Sequence, residues 1–454
     1  MEKTEKHVKS DVILSVKERF CFATGDFAYQ CVFYWVSAYL MIFYTDVFLI
    51  PASAVSVLML VVRLYDAVND PIIGSLMDRT NTSMGKYRPW IIVGGIGLIL
   101  SALVMFWAHP LWSENAKLAY MYITYIVVVT FSTIFYMAYM ALTGCISSDS
   151  MERAKCASWR MVGSYGAMLV VGYAAPYMIA GFGSESMVQG YLMSVLICAV
   201  IALPLFLMTG LGTRERVYAQ SQDEKLKLPV KEQWKMLWQN KPMLILIVCM
   251  TAHGVQMNGR FTIATYYCTY VGTGVSVLAM FNLLNSLACV AGCLMAPWLF
   301  RVTGHKGKVS SAIQFICALS MFGQYFTAVP SLLFYLLVII TGLCYGSFSA
   351  LMFSMIPDAV DLTHAENGVR LDGFYNSIAS FGFKCGGAVG TSLIGFVLAR
   401  SGYIANQVQT EGCLRAIRLL MSALPGAFCV IAAVFLLGYS ISNKKHEEIM
   451  SRLQ

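Results

Sequence analysis

Arg63, Asp66 and Asp70 stand at i, i+3 and i+7 in the run VVRLYDAVND, from Val61 to Asp70. On a helix that spacing stacks one cation and two carboxylates on a single face. The segment around them, from about Ala54 to Met77, is apolar and long enough to cross a bilayer. Charges in hydrocarbon cost on the order of several kcal/mol unless they are paired, bound to an ion or turned toward a polar cavity. Asp66, Asn69 and Asp70 offer hard oxygen ligands on adjacent turns, and sodium prefers oxygen donors. Two carboxylates sharing a site repel each other unless a cation or a proton lies between them. The competing chemistry is an ion-pair cluster that only holds helices together.

Other polar residues lie deep in apolar segments. Asp26, in FATGDFAYQ, is followed by Tyr29, Gln30, Tyr34, Trp35 and Tyr39. A carboxylate beside aromatic rings binds sugars through stacking and hydrogen bonds to hydroxyls; the same stripe also packs helices. Thr133, in TFSTIFYMAY, is a neutral oxygen ligand, and Arg160 and Lys384 are deep cations. Between the tenth and eleventh apolar segments lie Asp358, Asp361, His364, Glu366, Arg370 and Asp372. They form either a solvated loop or a charged latch that docks on basic loops elsewhere. No GxSxG, P-loop or HExxH occurs, and the six histidines are scattered singly, so no enzyme constellation is present.

The elements that must position these residues follow from composition. The chain has 454 residues, 58% hydrophobic and 12% charged, with a mean hydropathy of +0.66. Soluble domains carry about 25% charged residues, so this is an all-α membrane protein. Hydropathy picks out twelve spans: 20–45, 54–77, 89–109, 117–146, 157–181 and 190–211, then 241–271, 274–302, 309–328, 331–357, 371–399 and 413–442. The polar stretch 213–240 separates an N-terminal six-helix bundle (1–212) from a C-terminal one (241–443), with a tail at 444–454. Lys and Arg gather in the even-numbered connections, at Arg79, Lys86, Arg88, Arg153, Lys155, Arg301, Lys306 and Lys308. Both termini are therefore expected in the cytoplasm. The first span is expected to act as its own uncleaved insertion signal in the inner membrane. The net charge of +8 does not argue for nucleic acid. The fourteen cysteines show no CxxC, so neither zinc nor a disulfide is expected.

GSLMDRTNTSMGKYRPW (Gly74–Trp90) and APWLFRVTGHKGKVS (Ala296–Ser310) each run from a helix end through Arg and a polar turn to Gly-Lys. Equivalent loops in two halves fit parallel six-helix repeats, and the basic loop resembles that of the major facilitator superfamily. FYTDVF (Phe43–Phe48), RLYDAVNDPIIGSLMDRTNTSMGKYRPW (Arg63–Trp90) and PDAVDLTHAENGVRLDGFYNSIASFGFK (Pro357–Lys384) resemble more narrowly the glycoside–pentoside–hexuronide:cation symporters, the family of the melibiose permease.

That resemblance implies a cation site at Asp66, Asn69, Asp70 and Thr133, a sugar-binding acid at Asp26, and roles near the sites for Arg160 and Lys384. It also has departures. The fourth-helix sugar-binding acid aligns with Tyr136, its neighbouring tryptophan with Met140, and the lysine before the first-helix acid with Gly25. Losing an acid while keeping Arg160, Arg260 and Lys384 suits an anionic sugar. The expectation is a cation-coupled symporter, sodium favoured over a proton, importing a glycoside or sugar acid by alternating access. Arg63, Lys384, Asp358, Asp361 and Arg370 are its coupling or gating candidates. It needs no cofactor beyond the coupling cation, lipid as its surroundings, and no obligate protein partner. A lysolipid carrier on the same fold and a non-transporting sensor are the rival readings.

Overall fold

The computed structural model describes residues 14–78, 80, 82–107, 111–146, 150–216, 229–272, 274–369, 371–442, 445–446, 448–449 and 451. Side chains at 63–64, 67–68, 71, 75, 78, 144, 150–155, 157–158, 230 and 372–373 lie outside the description. Helices fill each of the twelve expected segments. They are α1 (Val16–Ala38), α2 (Ala52–Asp78), α3 (Arg88–Phe106), α4 (Glu114–Cys145), α5 (Ser150–Phe182) and α6 (Met187–Gly212) in the first half. The second half has α7 (Lys241–Tyr266), α8 (Val275–Thr303), α9 (Lys306–Tyr325), α10 (Leu332–Asn367), α11 (Asp372–Arg400) and α12 (Glu411–Leu437). Nine of the described helices are long and apolar enough to cross a membrane, or ten with the bent first one.

Within each half the helices pack on one another: α1 on α5 and α6, α3 on α4 and α6, α7 on α11 and α12, α8 on α10. The halves meet where α2 crosses α11, α5 crosses α8 and α1 touches α7. α1 and α7 end alike, in five-residue π turns at Phe43–Val47 and Tyr267–Val271, so the repeat extends beyond the basic loops. α1 bends by 46° after Ala38. Ser37 Oγ donates to the carbonyls of Phe33 and Tyr34 at 3.2 and 3.1 Å, a back-bond that bends helices.

The two basic loops are less alike than their sequences. Gly85 turns the chain at φ +114°, but in the second loop the left-handed residue is Gly304, at φ +65°. Gly307 instead lies in the first turn of α9, because His305 caps that helix through its ring nitrogen. In the first half, Glu215 beyond α6 accepts from the backbone N–H groups of Lys86, Tyr87 and Arg88 at 2.8–3.0 Å. An acid at this position meets both the unpaired donors and the positive end of α3. The central stretch contains an amphipathic helix, Val230–Gln239.

The tenth span is longer than its hydropathy predicts. α10 runs on past Pro357 to Asn367 and ends at Gly368, φ +70°. Asp358, Asp361, His364 and Glu366 are thus helical rather than loop.

Close helix pairs rest on glycine, as they do generally in membranes, where small residues let backbones approach. A Cβ at Gly386 on α11 would strike the carbonyl of Thr251 on α7, whereas one at Gly181 meets nothing within 4 Å. Gly386→Ala should lower the thermal unfolding midpoint of the detergent-purified protein, by the equivalent of about 1–3 kcal/mol of overpacking. Gly181→Ala should leave that midpoint unchanged. Equal midpoints for both variants would contradict the packing described.

Candidate functional site

Asp66 and Asp70 lie one turn apart on α2, where α11 crosses from the other half. Lys384 of α11 places Nζ 2.5 Å from Asp70 Oδ2 and 3.2 Å from Asp66 Oδ2. From the neighbouring α4, Thr133 Oγ1 donates to Asp66 Oδ1 at 3.0 Å. One ammonium therefore bridges two carboxylates across the two halves. Asp66 is 8% exposed, while Asp70 and Lys384 are 29% and 32% exposed, so the pair is dry at one end and open at the other. Asp70 Oδ1 and Asn69 Nδ2 are buried with no hydrogen-bond partner. A half-turn of the Asn69 amide exchanges its nitrogen for an oxygen ligand.

The second group of residues is built on α1, α4 and α5. Asp26 is 4% exposed, and Arg160 Nε lies 3.6 Å from its Oδ2. Arg160 Nη1 donates to Met140 Sδ. Tyr136, one turn before Met140 on α4, faces Tyr29 with ring centres 5.3 Å apart. Tyr29 Oη and Ser132 Oγ share a hydrogen bond of 2.8 Å. Ser132 and Thr133 are consecutive, so α4 joins the Asp26 group to the Asp66–Asp70 group. Gly25 has a local reason: a side chain there would meet Tyr139 and Thr209 at 2.8–2.9 Å. The structure thus brings together Asp66, Asn69, Asp70, Thr133 and Lys384, and beside them Asp26, Tyr136, Met140 and Arg160. The side chain of Arg63 lies outside the description, as does Arg370.

The profile of the MFS/sugar transport protein family matches residues 21–443. The chain belongs to that family. It is 31% identical to the symporter YnaJ of Bacillus subtilis (strain 168), over 97% of this chain and 95% of the relative. It is also 31% identical to the isoprimeverose transporter of Lactiplantibacillus pentosus, over 94% and 89%. Among solved structures, the D-xylose–proton symporter superposes with a TM-score of 0.67 over 95% of this chain and 98% of that one, at 13% identity. That last likeness shows the fold alone.

In this MFS sugar transport protein, Asp358 reaches one of the basic loops expected for the latch, the one after the eighth span. Asp358 pairs with Lys306, at the start of α9, at 2.7 Å. His446 of the tail lies 3.8 Å from Asp358 and 3.4 Å from Asp361. These contacts tie the tail and α9 to α10 within one half. Of the first-half basic residues, Arg79, Arg153 and Lys155 lie outside the description, while Arg88 donates to the carbonyls of Gly210, Met84 and Leu211.

A network that the sequence reading missed joins the halves at the face opposite the termini. Asp46, at the end of α1, accepts from the hydroxyls of Tyr270 and Tyr403, and from Thr45 Oγ1 at 2.5 Å. Asn406 Nδ2 donates to the Asp46 carbonyl at 2.5 Å, and Thr45 and Tyr266 share a bond of 2.8 Å. The available signal was a lone acid closing the first apolar segment. Two tyrosines among twenty-five gave none. The other cross-half bonds between described residues, such as Thr265 to the Ala38 carbonyl and Asn282 to the Gly172 carbonyl, lie from the level of Asp70–Lys384 toward that same face.

The transporter is therefore closed on the face away from its termini. Asp46→Asn combined with Tyr403→Phe should loosen that closure. A reporter cysteine at Ser37 should then react several-fold faster with an impermeant maleimide added from that face. An unchanged rate would show that the network does not hold the closure.

Proposed function

We propose that this protein is a sodium-coupled symporter that imports a glycoside or sugar acid across the bacterial inner membrane, with both termini in the cytoplasm. The observation that carries the reading is Lys384, whose ammonium lies against Asp66 and Asp70 while Asp70 Oδ1 and Asn69 Nδ2 remain unmet. Two carboxylates this close need a positive charge between them. Lys384 supplies it in this state. A sodium ion held by Asp66, Asn69, Asp70 and Thr133 supplies it in the loaded one. Arg63, two turns before Asp70 on the same helix, is a coupling residue of this proposal.

The sugar binds beside that site. Asp26 accepts hydroxyls, Tyr136 and Tyr29 offer faces for stacking, and Arg160 and Met140 close the wall. Sodium releases Lys384 toward the sugar site, and α4 carries the change from Thr133 to Tyr136. Each ligand favours the same closed arrangement, so each raises the affinity for the other. With the termini in the cytoplasm, the Asp46 network is the shut outer gate and the state described faces inward. The relatives named a symporter and an isoprimeverose transporter support cation coupling and a sugar cargo.

The test is sugar binding or uptake in sodium chloride against choline chloride, using a panel of neutral and acidic glycosides. Wild type should bind at least one glycoside about tenfold more tightly in sodium. Asp66→Cys and Asp70→Cys should each abolish that dependence. Sodium dependence retained in both variants would remove the cation site from these acids.

A further inference from the structure

Arg260 sits on α7, the counterpart of α1 in the second half, and is 3% exposed. Its Nη2 donates to Gln324 Oε1 at 2.9 Å, and its guanidinium lies 5.5 Å from the centre of the Phe281 ring. Its Nε and Nη1 are buried and have no partner. A guanidinium stays charged at any pH a cell meets, so this is a permanent charge with donors unfilled. Of the deep cations, Arg160 faces Asp26 and Lys384 faces Asp66 and Asp70. No carboxylate among the described residues pairs with Arg260.

A purely structural arginine in such a place is normally surrounded by acceptors, because an uncompensated buried charge is destabilising. Here the unmet donors border a cavity. Arg260, Phe281, Met257, Phe261, Asn285 and Tyr345 line it. Asn285 Oδ1 and Tyr345 Oη are likewise buried without a partner. The cavity continues to Tyr165 on α5, which belongs to the other half. The space therefore lies between the halves, against the helix that also carries Arg160.

We propose that Arg260, with Asn285 and Tyr345, is the subsite for the carboxylate of the transported sugar, and that the substrate is a uronic-acid glycoside. This rests on the sugar-transport reading above and adds the charge of the cargo. A neutral hydroxyl in this cavity leaves the guanidinium uncompensated. A carboxylate neutralises it and accepts its free donors, together with the Tyr345 hydroxyl. The Asn285 oxygen takes a neighbouring sugar hydroxyl. Charge-assisted hydrogen bonds of this kind are about twice as strong as neutral ones.

The experiment measures dissociation constants of the purified full-length protein in sodium chloride for matched pairs that differ only at C6. The pairs are p-nitrophenyl glucuronide with the glucoside, and p-nitrophenyl galacturonide with the galactoside. Wild type should bind the acidic member of at least one pair about tenfold or more tightly. Arg260→Gln should erase that ratio by weakening the acidic member alone. Arg260→Lys, which keeps the charge, should retain part of the ratio. Tyr345→Phe keeps the ring against His253 and should reduce the ratio even if Arg260→Gln fails to fold. No acid preference in wild type would overturn the proposal, as would equal weakening of both members by Arg260→Gln. Sodium-dependent binding of neutral members alone overturns the carboxylate subsite and leaves the symport reading standing. Absence of sodium-dependent binding for every glycoside removes both.

Discussion

The contact on which the arrangement depends is the Lys384 ammonium held between Asp66 and Asp70. It is the point where α11 of one half is tied by charge to α2 of the other, within the membrane. Two adjacent carboxylates repel each other, and a buried charge that loses its partner is costly. The link is therefore strong only while it is complete. In the cycle we propose, a cation of the right size exchanges it whole and switches the halves between two packed arrangements.

The remaining cross-half contacts are of a different kind. At the face away from the termini, tyrosine hydroxyls, threonines and one asparagine converge on Asp46 and on backbone carbonyls. Such bonds are individually worth about 1 kcal/mol, so several together bias an equilibrium without locking it. Between the two levels stands α4. Thr133 meets Asp66, the adjacent Ser132 meets Tyr29, and Tyr136 and Met140 meet the Asp26–Arg160 group. One helix, α4, thus supports both the Asp66–Asp70 pair and the Asp26–Arg160 group.

Much of this was legible because charge in hydrocarbon is costly, and so conspicuous in a sequence. Asp66, Asp70, Asp26, Arg160 and Lys384 stood out against apolar neighbours, and the structure gathers them in one region. The pairing of Lys384 with Asp66 and Asp70 across more than three hundred residues was not legible from spacing alone; the resemblance placed Lys384 near the sites. The end of α10 was misjudged because Asp358 and Asp361 read as loop, although their i, i+3 spacing also fits one helix face, here turned toward Lys306 and His446. The bend in α1 arises from Ser37, a residue with no distinctive pattern. The Asp46 network and the cavity around Arg260 depend on tyrosines and asparagines brought together from separate helices, and such uncharged partners leave no trace in hydropathy.

The central claim is that a cation at Asp66 and Asp70 and a sugar beside Asp26 stabilise the same state. Calorimetric titration of the purified protein tests it most directly, with the sugar constant measured without and with saturating sodium, and the sodium constant without and with saturating sugar. The account predicts that both constants tighten, and by the same factor. A sugar constant indifferent to sodium would contradict it.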